Sequence, residues 1–99
     1  MRTAVLAVAI GVFAPVASIA GPIEPACIQS NRAANPMLCA CIQRVANMTL
    51  SGADQRLAAK FFRDPGKAQE VRQSGSSRHR EFWNRYTTFG QAAEQVCAQ

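Results

Sequence analysis

Four cysteines, Cys27, Cys39, Cys41 and Cys97, carry most of the chemistry this chain can do. Thiols at such positions bind metal, run redox exchange or close disulfides, and the spacing separates these uses. Cys-x-Cys is tighter than the usual zinc-ligand spacing, and His79 is the only histidine available to complete a site. No Cys-x-x-Cys pair is present, and no βαβ pattern surrounds the cysteines. Two structural disulfides are the expected use. Cys39 and Cys41 lie two residues apart on an expected helix, about 200° apart around its axis, so they do not bond to each other. One of them must reach Cys27 and the other Cys97, which makes a mid-chain helix the hub of the domain. Cys41 shares a stripe with Leu38 and Val45, facing the core and the last helix. That favours Cys27 with Cys39 and Cys41 with Cys97, although the residues leave the crossed pairing open.

Little else is poised for reaction. There is no Gly-rich phosphate loop, no Gly-x-Ser-x-Gly and no His-Glu-x-x-His. His79 with Glu81 is the one conceivable acid/base pair, but residues two apart on a helix do not face each other. His79 also sits between Arg78 and Arg80, so it reads as a solvated histidine in a basic segment. Glu81 and Arg85, four apart, suit a surface ion pair of about 0.3–0.5 kcal/mol. No catalytic, cofactor-binding or metal residues are expected. A hollow gathering Glu70, Glu81 or Glu94 is what an enzyme of unrecognised type would require.

Charge is the remaining signal. The 99-residue chain has a formal charge of +5. Lys60, Arg63, Lys67, Arg72, Arg78, Arg80 and Arg85 fall in its second half, with Trp83 and Tyr86 among them. This concentration suits an anionic partner, a lipid headgroup, a wall polymer or an acidic protein, with the aromatics adding stacking or interfacial contact. The candidate binding surface is therefore Lys60, Arg63, Lys67, Arg72, Arg78, Arg80, Trp83 and Arg85. Nucleic acid is not expected, because no recognised binding motif is present and the chain reads as exported.

The export signal lies at the start. Met1-Arg2-Thr3 is a short positive stretch, Ala4 to Ala14 is apolar and uncharged, and Ser18-Ile19-Ala20 supplies the small residues of a cleavage site. Residues 1–20 are thus expected to be a signal peptide, cut between Ala20 and Gly21, with 21–99 a single helical domain. Ala4 to Ala20 is short against the ~20 apolar residues of a spanning helix. No cysteine follows the apolar run directly and there is no twin arginine. A periplasmic or secreted protein follows, with no transmembrane segment after cleavage. Loss of Arg2 leaves the mature side chains at +4. A domain of about 79 residues buries little more than ~60% of its unfolded surface, so cross-links matter to its stability.

The elements that position these residues are all helical. Gly21 to Pro25 reads as an extended lead-in because of its two prolines, followed by a short helix from Pro25 carrying Ala26, Cys27 and Ile28, broken over Asn31 to Asn35. Asn35-Pro36 caps and starts a second helix to about Met48, burying Leu38, Cys41, Ile42, Val45 and Met48. Ser51-Gly52-Ala53-Asp54 has capping-box form and opens a third, with Leu57, Ala58, Phe61 and Phe62 inward and Arg56, Lys60 and Arg63 outward. Asp64-Pro65 starts a fourth, to about Gln73. Ser74 to Ser77 is a loop, and Ser76 or Ser77 caps a last helix over Arg78 to Gln99. On it Phe82, Tyr86, Phe89, Ala93, Val96 and Cys97 form one stripe with Trp83 at its edge. The fold class is all-α, a small disulfide-stapled array of four to five helices.

Ala26-Cys27, Asn35 to Gln43, Asp54 to Pro65, Phe82 to Tyr86 and Cys97 together resemble a group of short exported four-cysteine proteins of alphaproteobacteria. Some of these carry the label arginine transporter. The resemblance implies an exported protein and an accessory part in amino-acid transport. A permease is excluded by length once the leader is lost, and a cationic ligand would want convergent carboxylates that this basic chain does not group. The reading from the residues is a non-catalytic binding module for an anionic envelope component or protein partner. Intact-mass measurement of exported protein is expected to show the chain beginning at Gly21 and lacking four hydrogens, one pair per disulfide; four free thiols would contradict it.

Overall fold

The computed structural model describes residues 21–30 and 35–98. The expected signal peptide, the break over 31–34 and the terminal Gln99 lie outside the described residues. Five helices are present among them, α1 (Ile23–Gln29), α2 (Pro36–Thr49), α3 (Gly52–Arg63), α4 (Pro65–Gln73) and α5 (Ser77–Cys97), with no strand. None is long and apolar enough to cross a membrane.

Local capping sets most of the boundaries. The Asn35 side chain accepts hydrogen bonds from Met37 N at 2.9 Å and Leu38 N at 3.3 Å, with Pro36 just inside the helix. Ser51 Oγ accepts from Asp54 N at 3.1 Å, Asp64 Oδ1 from Gly66 N at 3.1 Å, and Ser76 Oγ from His79 N at 3.2 Å. Lys60 and Arg63 occupy the last turn of α3, where cations complement the helix dipole.

The N-terminal segment departs from expectation. Gly21 to Pro25 is not an extended lead-in, because α1 begins at Ile23 and places Pro25 in its first turn. Prolines there forfeit nothing, since the first N–H groups of a helix have no intrahelical partner. Ile23 is thereby buried completely, while Ile28 is left 40% exposed.

Two disulfides radiate from α2. Cys27–Cys39 ties it to α1 and Cys41–Cys97 ties it to the end of α5, with Cα separations of 5.6 and 5.8 Å. α2 packs on both of these helices, α1 also packs on α3, and α4 bridges α3 to α5. The buried stripe of α2 differs from the expected one. Cys39, Gln43, Val45, Ala46 and Leu50 are buried, Leu38, Cys41 and Ile42 are half-buried, and Met48 is exposed. It is Cys39, not Cys41, that faces the interior. Since α2 lies between two neighbours, the face it buries is set by both of them.

Gln43 explains why a polar residue holds a core position. Its Oε1 accepts from Glu24 N at 2.8 Å, and its Nε2 donates to Asn47 Oδ1 at 3.0 Å and to Gln55 Oε1 at 2.7 Å. Gln55 Nε2 in turn donates to Ala46 O and Leu50 O, both at 3.3 Å, and to Asn47 Oδ1 at 3.2 Å. Two buried amides thus connect α1, α2 and α3 with their polar atoms satisfied, as burial demands. Gly21 rests against this relay at φ 136°, and a Cβ there would lie 2.8 Å from Gln43 Nε2. Only glycine fits both the backbone and the space.

The other half of the core is aromatic. Phe61 of α3 meets Phe82 and Tyr86 of α5 edge to face, with ring centroids 5.9 and 5.2 Å apart. Tyr86 stacks on Phe82 at 5.6 Å and touches Phe89 at 5.8 Å. Such pairs contribute about 0.5–1.5 kcal/mol each beyond their buried area. Val96, expected in this stripe, is 55% exposed.

Loss of either staple is expected to be measurable by urea unfolding. By loop-closure entropy, Cys41→Ala with Cys97→Ala, which opens a 56-residue separation, removes about 4 kcal/mol. Gln55→Ala removes the acceptor of one Gln43 Nε2 hydrogen bond and the donor to Ala46 O, Leu50 O and Asn47 Oδ1, and is expected to cost roughly 1–3 kcal/mol; an unchanged urea midpoint would show that the amide relay does not hold the helices.

Candidate anion-binding surface

The eight residues of the candidate surface do not form one patch. Arg72 at the end of α4 and Ser77, Arg80, Trp83 and Asn84 on the first turns of α5 line a hollow of about 270 Å³, which His79 and Glu81 also border. Val71 anchors α4 in the core, placing Arg72 beside α5, and the guanidinium of Arg72 lies 5.8 Å from the centroid of the Trp83 ring. Arg80 Nη1 donates to Gly75 O at 3.3 Å, which holds its head at the rim. Two guanidiniums against one carboxylate, Glu81, leave the hollow cationic, with an aromatic wall.

The remaining candidates are dispersed or already engaged. Lys60, Arg63 and Arg78 are exposed and do not line the hollow. Lys67 Nζ pairs with Glu70 Oε1 at 3.0 Å on the surface of α4. Arg85 does not pair with Glu81 as the four-residue spacing suggests. Its Nε donates to Asp54 Oδ2 at 2.6 Å and its Nη2 to Oδ1 at 3.2 Å, a two-point clamp between α5 and α3. The Asp54 side chain is only 11% exposed, so its carboxylate turns inward to this partner rather than back to the helix cap. The hydrogen bond to Asp54, with some help from its charge and that of Glu81, raises the Arg85 pKa above the ordinary arginine value against the opposing effect of burial. Arg85 is therefore structural. No local signal in the sequence marks a partner 31 positions away.

His79 is also placed differently from the expectation of a solvated ring. It is half-buried, and its Nδ1 is shielded from solvent with no hydrogen-bond partner among the described residues. Among those residues no three of His, Cys, Asp and Glu converge to hold a metal ion. Glu70, Glu81 and Glu94 do not line a common hollow in the cavities described.

A second concave surface lies at the other end of α5, where Cys41, Arg44, Met48 and Val96 line an apolar hollow. The sequence stripe hid it by assigning Met48 and Val96 to the core. The chain matches no protein-family model, no curated protein and no solved structure.

Trp83 is the only tryptophan, so its emission reports on the basic hollow directly. Arg72→Ala is expected to shift that emission to longer wavelength as water replaces the guanidinium over the ring. Identical spectra for the two proteins would mean that the stacking is not maintained in solution.

Proposed function

We propose that this protein is an exported, non-catalytic interaction module that binds anionic groups of the cell envelope through the hollow at the α4–α5 junction. The observation that carries the reading is the pairing of Arg72 and Arg80 around Trp83. Guanidiniums recognise phosphate and carboxylate with planar, multi-point hydrogen bonds, and an indole beside them adds an amphipathic contact suited to an interface. Arg63, Lys60 and Arg78, exposed and unshared with the hollow, add long-range attraction rather than specific contact. Two disulfides suit an oxidising compartment, in keeping with export to the periplasm or beyond.

The same geometry disfavours free arginine as ligand. Glu81 is the single carboxylate at the hollow and it faces two guanidiniums, so a third guanidinium would meet net repulsion. An accessory role in arginine transport would need a carboxylate-lined site elsewhere.

Sedimentation with vesicles tests this. The oxidised domain is expected to bind vesicles containing anionic lipid and to be released at about 1 M salt, where the screening length falls to about 3 Å. Isolated wall sacculi, tested in parallel, distinguish a polymer from a headgroup. Replacing both Arg72 and Arg80 by Ala removes about 1 kcal/mol per cation, a loss of roughly 30-fold. Equal retention by neutral vesicles, or heat on titration with arginine, would overturn the proposal.

A further inference from the structure

We propose that the groove between α2 and the last turn of α5 docks an amphipathic helix of a partner protein, one that carries a carboxylate between its apolar residues. Met37, Cys41, Arg44 and Met48 follow steps of four, three and four along α2, so they share one face. Met37 is 82% exposed, Met48 74% and Val96, across the groove on α5, 55%. Two hollows of about 360 and 570 Å³ share Cys41 and Arg44 in their walls and so adjoin as one groove. Large apolar side chains exposed in line mark an interaction surface rather than a solvated one, and methionine adapts its shape to whatever packs on it. The Cys41–Cys97 bond clamps the two walls together, so the groove exists before any partner arrives. From Met37 to Met48 it spans eleven residues, about 16 Å, which is three turns of a helix.

The charge selects the occupant. Among the described residues Arg44 is the only charged one lining either hollow, and it has no ion-pair partner there. It sits where the two hollows meet. A second copy of this chain, docked by two-fold symmetry about that point, would bring two Arg44 guanidiniums face to face. A bilayer does not fill a concave groove with an arginine at its centre. A helix with apolar anchors spaced three and four apart and an Asp or Glu among them satisfies both the apolar walls and the guanidinium.

Met37 and Met48 are the only methionines after residue 1, so photo-methionine incorporated into the oxidised protein cross-links from this groove alone once the leader is cut. In envelope preparations, cross-links from both positions are expected to map to one helical segment with apolar residues at that spacing and a carboxylate. A synthetic peptide of that segment is expected to bind the purified protein, to weaken tenfold or more against Arg44→Glu, and to recover when its own carboxylate is changed to lysine. Arg44 is exposed, so circular dichroism of the variant should be unchanged; Met48→Asp, at a position 74% exposed, provides an independent loss. Cross-links only between copies of this chain, only to lipid, or none at all would overturn the proposal. So would binding indifferent to Arg44→Glu.

Discussion

Everything in this domain is arranged around two covalent bonds leaving α2 in different directions. Cys39 points into the interior and fastens α1, while Cys41, half-exposed, fastens the far end of α5. A chain this small has little apolar surface to spare, and constraining its unfolded state offsets that shortage. The two bonds differ in reach. Cys27–Cys39 closes a separation of 12 residues and Cys41–Cys97 one of 56, so the second restricts the unfolded chain more and fixes the register of the longest helix.

Between these bonds the interior is more polar than its composition suggests. The Gln43–Gln55 relay and the Asp54–Arg85 clamp each join elements distant in sequence, and each contributes directional bonds where apolar packing alone would permit sliding. The aromatic cluster around Phe61 then fixes α3 against α5. The disulfides join α2 to α1 and to α5, the amide relay joins α2 to α1 and α3, and the ion pair and the aromatic cluster together join α3 to α5.

This division leaves the two ends of α5 free for different tasks. Near its N-terminus Arg80 and Trp83 face Arg72 across a cationic hollow; near its C-terminus Val96 faces Met48 across an apolar groove. Thirteen residues separate Trp83 from Val96, about 20 Å along the axis. Under the two proposals, an anionic surface bound at one end would leave the groove at the other open to a protein. The rigid helix between them is what would keep the sites apart.

The sequence alone determined the helices, because what starts and stops a helix is local. Asn35-Pro36, Ser51, Asp64-Pro65 and Ser76 each place a side-chain acceptor within three residues of the N–H it caps. It also determined that Cys39 and Cys41 serve different partners, since helical geometry separates neighbours two apart. The same local reasoning misplaced the start of α1, because a proline at the N-cap and another in the first turn resemble two prolines in a strand-like lead-in until the turn's free N–H groups are counted. Which face α2 buries was decided only by tertiary structure. The apolar stripe assigns Met48 inward and does not include Gln43, whereas Gln43 is buried against hydrogen-bond partners on α1 and α3 and Met48 stays 74% exposed. Arg85 shows the same limit, with Glu81 in view along its own helix and Asp54 brought to it from α3. A periodic pattern records the polarity of side chains, but the satisfaction of a buried polar group depends on atoms that only folding brings within bonding distance.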